Sequence, residues 1–269
     1  MSMPTDPGNH RQPSFLGVER LYGRQAAAAL ARARVTVVGI GGVGSWSAEA
    51  LARSGIGGLR LVDMDDVCRS NINRQAHATT ATLGQPKVRA MAARIRAINP
   101  ACEVAEAAMF VTPANACSLL DDHSAWVVDA TDRMSVKAAI LDACRQLGKR
   151  AVTVGGAGGK RDPTRIESGD LGRAGGDDLL RMTRRRLRRH CGWPGGEGNH
   201  YAVPAVFSRE AAHHPRGARQ PGGGPPQPPP PTRGLDCAGA LGAVFHLTAC
   251  FGMAAAAVVI EALASTRDR

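Results

Sequence analysis

Four glycines in six positions, Gly39-Ile-Gly41-Gly42-Val-Gly44, separate a short apolar run from an alanine-rich stretch, and an acid, Asp63, follows about 20 residues on. Glycines at a strand-to-helix turn allow a tight reversal. They also let backbone N–H groups approach a phosphate at the helix N-terminus. Asp63 closes the next predicted strand, where a carboxylate can accept hydrogen bonds from ribose hydroxyls. Together these features specify an adenosine nucleotide without separating NAD from ATP.

The residues that follow narrow the chemistry. After Asp63 come M-D-D-V-C-R-S-N-I-N-R-Q over 64–75, G-Q-P-K over 84–87 and V-V-D-A-T-D over 127–132. Asn71, Arg74 and Lys87 are amide or cationic donors suited to a polyphosphate. Asp132 falls just past a strand end, where open α/β sheets bind ligands. Hydride transfer has no need for an arginine, a lysine and an acid converging on phosphates. Nucleotidyl transfer does, because charge develops on the triphosphate as pyrophosphate leaves.

These residues need a frame to hold them. Residues 34–38, 59–63, 102–106, 125–129 and 151–154 read as strands, and 43–53, 86–98, 112–120 and 134–147 as the helices between them. An alanine-rich helix over 19–33 precedes them. Strands alternating with helices define a doubly wound, mostly parallel, Rossmann-like α/β sheet with helices on both faces. Beyond Lys160 the pattern loosens into a weak strand at 164–168, a very basic helix at 179–190 and a further strand at 203–207. The Gly/Pro-rich stretch 215–231 is expected to be a mobile loop.

Asp236 and Glu261 then bracket an uncharged run that is long enough to cross a bilayer. Its many Ala and Gly residues, with His246 and Thr248 inside, favour a buried C-terminal helix. A membrane anchor over 237–260 is the alternative. The expected organisation is a disordered 1–13 and one domain over 14–269. That domain comprises a nucleotide-binding core at 14–160, a variable segment at 161–234 and an apolar helix at 235–264.

Composition sets the outer bounds. The chain has 269 residues, 43% hydrophobic and 21% charged, which is ordinary for a chain that buries a core and excludes a wholly disordered one. Aromatics are only 4%, so the core is aliphatic. Lys plus Arg is 34 against 23 for Asp plus Glu, giving +11, which permits a polyanionic partner. Only four of the basic residues are lysines, Lys87, Lys137, Lys149 and Lys160. Seven cysteines include no C-x-x-C pair, which speaks against a zinc ribbon and for reduced thiols in a cytoplasm. His213 and His214 sit side by side in a loop and are not expected to make a metal site.

The motifs Y-G-R-Q at 22–25, G-I-G-G-V-G-S, L-V-D-M-D, S-N-I-N-R-Q, G-Q-P-K and D-A-T-D resemble the ThiF/MoeB/HesA superfamily, relatives of ubiquitin-activating enzymes that adenylate a carboxylate with ATP. R-L-Y-G, V-D-M-D-D-V-C, V-T-V-G-G-A-G-G, V-F-S-x-E and L-D-C-A-G resemble its tRNA threonylcarbamoyladenosine dehydratase branch. The likeness departs from the branch over 173–234. The missing cysteine pairs argue against the alternative, an adenylyltransferase for a sulfur-carrier or ubiquitin-like protein.

The resemblance implies an ATP site in which Gly39, Gly41, Gly42 and Gly44 lie along the phosphates and Asp63 holds the ribose. In it Asn71, Arg74 and Lys87 neutralise the triphosphate and Asp132 holds magnesium. It also implies a homodimer in which Arg20 or Arg24 reaches the partner's γ-phosphate. The implied substrate is tRNA, whose threonylcarbamoyl carboxylate is activated as an acyl-adenylate and then cyclised with net loss of water. A cysteine desulfurase and its sulfur acceptor are further candidate partners. Cys237 is a candidate thiol whose simpler reading is a small apolar residue at the start of a helix. The basic helix, with Arg181, Arg184, Arg185, Arg186, Arg188 and Arg189, is a candidate contact for the tRNA backbone.

Overall fold

The computed structural model describes residues 13–195, 200–213 and 241–265. Seven strands form one sheet in the order β3-β2-β1-β4-β5-β7-β6. These are β1 (Arg34–Val38), β2 (Gly58–Val62), β3 (Glu103–Ala107), β4 (Trp126–Asp129), β5 (Arg150–Val154), β6 (Ile166–Asp170) and β7 (Pro204–Ser208). All neighbours pair in parallel except β6 and β7. The order reverses between β1 and β4, so the switch point lies where these two strands end side by side, with Val38 in register with Asp129.

Helices α3 (Gly44–Arg53), α4 (Lys87–Ile98) and α8 (Phe245–Ala264) cover one face, and α5 (Ala116–Leu120), α6 (Met134–Gln146) and α7 (Asp178–His190) cover the other. Each face has its own aliphatic core. Leu30, Leu51, Leu61, Met91 and Phe251 pack on the first, and Leu120, Ile140, Leu180, Leu187 and Phe207 on the second.

The expected N-terminal helix is two helices, α1 (Leu16–Tyr22) and α2 (Arg24–Arg32). Gly23 at φ +88° sits between them, a conformation that ends α1 and re-aims the chain. The helix expected over 112–120 shrinks to α5. Asn115 explains the loss, because its side chain accepts from Thr112 N at 2.7 Å and donates to Phe110 O at 2.9 Å, a local turn that competes with helix.

The apolar C-terminal run is a core helix. Leu247, Phe251, Ala255 and Val259 are fully buried. Gly252 lets α8 approach α3 so closely that a Cβ there would stand 2.5 Å from Val43 O, and Ser47 Oγ donates to Gly252 O at 3.0 Å. It is the one helix among the described residues long and apolar enough to cross a membrane, and half of it is buried in the fold. The expected disordered terminus, up to residue 12, the Gly/Pro-rich stretch, His214 and Cys237 lie outside the described residues.

Candidate active site

The glycine turn sits at the switch point and is shaped by contact. Gly39, at φ +86°, packs so that a Cβ would lie 3.0 Å from the backbone C and O of Ala130 at the end of β4. A Cβ on Gly44 would collide with Gly39 O. Gly41 faces open space, with nothing within 4 Å of where its Cβ would be. Thus Gly39 and Gly44 close the turn, whereas Gly41 leaves its backbone accessible. That is a cradle suited to an approaching phosphate.

Asp63 is committed first to the fold. Its Oδ2 accepts from Ile40 N at 2.7 Å and its Oδ1 from Asp65 N at 2.9 Å, tying the end of β2 to the glycine turn. Each carboxylate oxygen keeps a further lone pair for a ribose hydroxyl. Burial pushes its pKa up, against the opposing charge of Lys87.

Arg74 stands over Gly42, its Cδ 3.4 Å from the position of a Cβ there. Its Nη1 donates to Ser70 O at 2.7 Å and Asn73 Oδ1 at 2.9 Å, and its own carbonyl accepts from Trp46 Nε1 at 2.9 Å. Asn71 is buried in the same loop and accepts from Cys68 N at 2.9 Å. Lys87 opens α4 with its side chain 6% exposed and Nζ 2.7 Å from Asp65 Oδ2. The sequence reading missed Asp65, although it is the second acid in the D-M-D-D run that nominated Asp63. An ammonium has three donors, so Lys87 retains capacity beyond that pair.

Asp132 is exposed just past β4. Three residues earlier Asp129 is fully buried, 3.0 Å from Lys137 Nζ, and it accepts from Thr153 Oγ1 at 2.6 Å and Thr131 Oγ1 at 2.7 Å. This buried pair fixes the reversal that presents Asp132. A second pair, Lys160 with Asp177 at 3.0 Å, ties the loop after β5 to α7, since Asp177 also accepts from Gly156 N and Leu180 N. No sequence motif signalled either pair.

No group of three or more His, Cys, Asp or Glu side chains is placed to hold a metal among the described residues. A lone exposed carboxylate is still a fit for magnesium, which is commonly held by one or two carboxylates plus substrate phosphates and water.

Arg20 and Arg24 are both exposed, Arg24 with Nε 3.1 Å from Glu19 Oε1. His213 is hydrogen-bonded to Glu210 Oε1 at 3.0 Å. Burial pushes the Cys102 and Cys144 thiols up to about 11 and about 12, so neither is a reactive thiolate. Arg184, assigned to phosphate on sequence grounds, instead donates Nη1 to Leu171 O and Ala174 O of its own chain.

A doubly wound sheet with an open glycine cradle at its switch point, an acid at the end of β2, and an arginine and a lysine beside it defines a nucleotide-binding α/β protein. The chain belongs to the ThiF family, whose sequence profile matches residues 16–266. It is 42% identical over 255 residues to the tRNA threonylcarbamoyladenosine dehydratase of Escherichia coli (strain K12), covering 95% of both chains. It is 35% identical to the molybdopterin-synthase adenylyltransferase of the same bacterium, over 43% of this chain and 46% of that protein. The crystal structure of E. coli TcdA in complex with ATP superposes with a TM-score of 0.82 at 40% identity, covering 93% of each chain, and the AMP complex with 0.81.

Proposed function

We propose that this protein dehydrates the threonylcarbamoyladenosine of tRNA to its cyclic form, using ATP to activate the carboxylate. The observation that carries the reading is the extent of the likeness. The dehydratase relative matches 95% of this chain, including segments after β5, whereas the adenylyltransferase relative matches less than half.

The site's own residues suit the reaction. A carboxylate oxygen of the substrate attacks the α-phosphorus of ATP and pyrophosphate leaves. A nucleophile within the same nucleoside then attacks the acyl carbon, and AMP leaves. Arg74 and Lys87 oppose the charge that grows on the leaving pyrophosphate, and the Gly41 backbone orients the phosphates. Magnesium, when bound at Asp132, would supply further neutralisation. Arg20 or Arg24, exposed on α1 and α2, would complete the site of a second copy in a homodimer. No step needs a thiol or sulfur, so a cysteine desulfurase is not required by the chemistry. The protein would act in the cytoplasm, with α8 serving as a core helix.

The test is a label. With heavy oxygen in the threonylcarbamoyl carboxylate, one labelled atom should appear in AMP. AMP free of label would refute adenylation of this carboxylate. Adenylation of a small protein ending in Gly-Gly, with no reaction on tRNA, would move the chain to the sulfur-carrier activators.

A further inference from the structure

Six arginines lie in α7, and the structure sorts them by role. Leu180, Thr183 and Leu187 bury one face of the helix. Arg184 is half-buried and clamps the carbonyls of Leu171 and Ala174. Arg181, Arg185, Arg188 and Arg189 are exposed, and their three- and four-residue spacings put them on one stripe together with Met182.

Like charges at i,i+4 repel, so the pairs 181/185 and 185/189 weaken the helix they stand on. The one acid within the helix is Asp178, which Arg181 holds at 2.9 Å. No carboxylate pairs with Arg185, Arg188 or Arg189 among the described residues. The stripe therefore carries a positive field that the described residues leave largely uncompensated.

Its position matters as much as its charge. Asp177 caps α7 and binds the Gly156 N–H just past β5, so the helix starts at the ligand edge of the sheet. From there it packs along α6 for about 20 Å, at about 1.5 Å per residue. Because its buried face is anchored in the core, the stripe is a rigid rail and not a floating tail. Guanidinium groups match phosphate oxygens in a bidentate fork. One exposed methionine is too little apolar surface for insertion into a bilayer.

We infer that the stripe Arg181, Arg185, Arg188 and Arg189 docks the sugar–phosphate backbone of the RNA stem adjoining the modified adenosine, aligning that stem along α7 while the reactive nucleoside reaches the ligand edge. This rests on tRNA being the substrate, and it sets Arg184, which clamps carbonyls of its own chain, apart from the other arginines expected from sequence alone.

The experiment compares the full-length protein with two quadruple variants. One carries Arg181→Gln, Arg185→Gln, Arg188→Gln and Arg189→Gln. The other removes the same charge from the opposite side through Arg32→Gln, Arg53→Gln, Arg89→Gln and Arg96→Gln. The probe is an anticodon stem-loop RNA carrying threonylcarbamoyladenosine, its affinity measured across salt concentrations, with ATP binding as the check on folding.

Four lost phosphate contacts should flatten the slope of log affinity against log salt by about 3 and weaken binding at least about tenfold at moderate salt. ATP binding should stay unchanged, and the opposite-side variant should lose far less. Equal losses in both variants, or an unchanged slope in the α7 variant, overturn the inference. So does α7-dependent binding to anionic lipid vesicles with RNA binding unaffected. If the wild type binds RNA through α7 yet dehydrates no tRNA, the docking surface stands and the proposed reaction falls. If it dehydrates tRNA and the α7 slope is unchanged, only the docking surface falls.

Discussion

Lys137 Nζ lies 3.0 Å from Asp129 Oδ2, and neither side chain is exposed. Such pairs seldom add stability over apolar replacements, yet breaking one strands a charge. Lys137→Met should therefore cost about 3–5 kcal/mol in urea unfolding. Adding Asp129→Asn should recover much of that loss by removing the stranded charge. A loss below about 1 kcal/mol in the single variant would show that the pair does not hold the reversal before Asp132.

The glycine turn predicts a clean separation of folding from binding. A methyl group at 44 collides with Gly39 O, whereas one at 41 meets open space. Gly44→Ala should unfold at a much lower temperature than wild type. Gly41→Ala should keep the wild-type Tm and weaken ATP binding by about tenfold or more, because the methyl occupies the phosphate approach. Calorimetry on both variants checks this, and normal ATP affinity in Gly41→Ala would place the phosphates elsewhere.

Lys87→Ala should lower kcat/KM by about 100-fold, a loss of about 2.7 kcal/mol of transition-state stabilisation. The 2.7 Å pair with Asp65 predicts a modest stability loss as well, limited because Asp65 is one-third exposed. Near-wild-type turnover at saturating magnesium would remove Lys87 from the phosphate site.

His77 supplies a pH prediction. It is 3% exposed, and neither ring nitrogen has a hydrogen-bond partner among the described residues. Burial, helped by the charges of Lys87 and Arg94, holds its pKa down to about 4 against an ordinary 6.5. The folded state thus binds this proton more weakly than the unfolded chain does. The stabilisation is complete above pH 6.5 and is lost as pH falls toward 4. Between pH 7.5 and 5 the loss through this one group is about 2 kcal/mol. His77→Leu should show an acid-induced drop in unfolding free energy smaller by that amount. Equal drops in the two proteins would contradict it.

The lysines show what the sequence could and could not reveal. Each of the four is tied to an aspartate: Lys87 to Asp65, Lys137 to Asp129, Lys149 to Asp122 and Lys160 to Asp177. Lys87 was legible because its G-Q-P-K setting is local. Lys137 was not: Asp129 lies eight residues back across the turn from β4 to α6, and Thr153 joins the pair only through sheet register, which sets it opposite Asp129. The glycine turn and Asp63 were readable for the same local reason. Arg184 was misread because a helix pattern gives the face of a residue but not the carbonyls of a neighbouring loop.

The dehydration itself is measured with purified protein, ATP, magnesium and tRNA bearing threonylcarbamoyladenosine, followed by digestion to nucleosides and mass spectrometry. The modified nucleoside should lose the mass of one water, with AMP and pyrophosphate formed in equal amount and no change when ATP is omitted. An unchanged nucleoside, from protein that binds ATP normally, would contradict it.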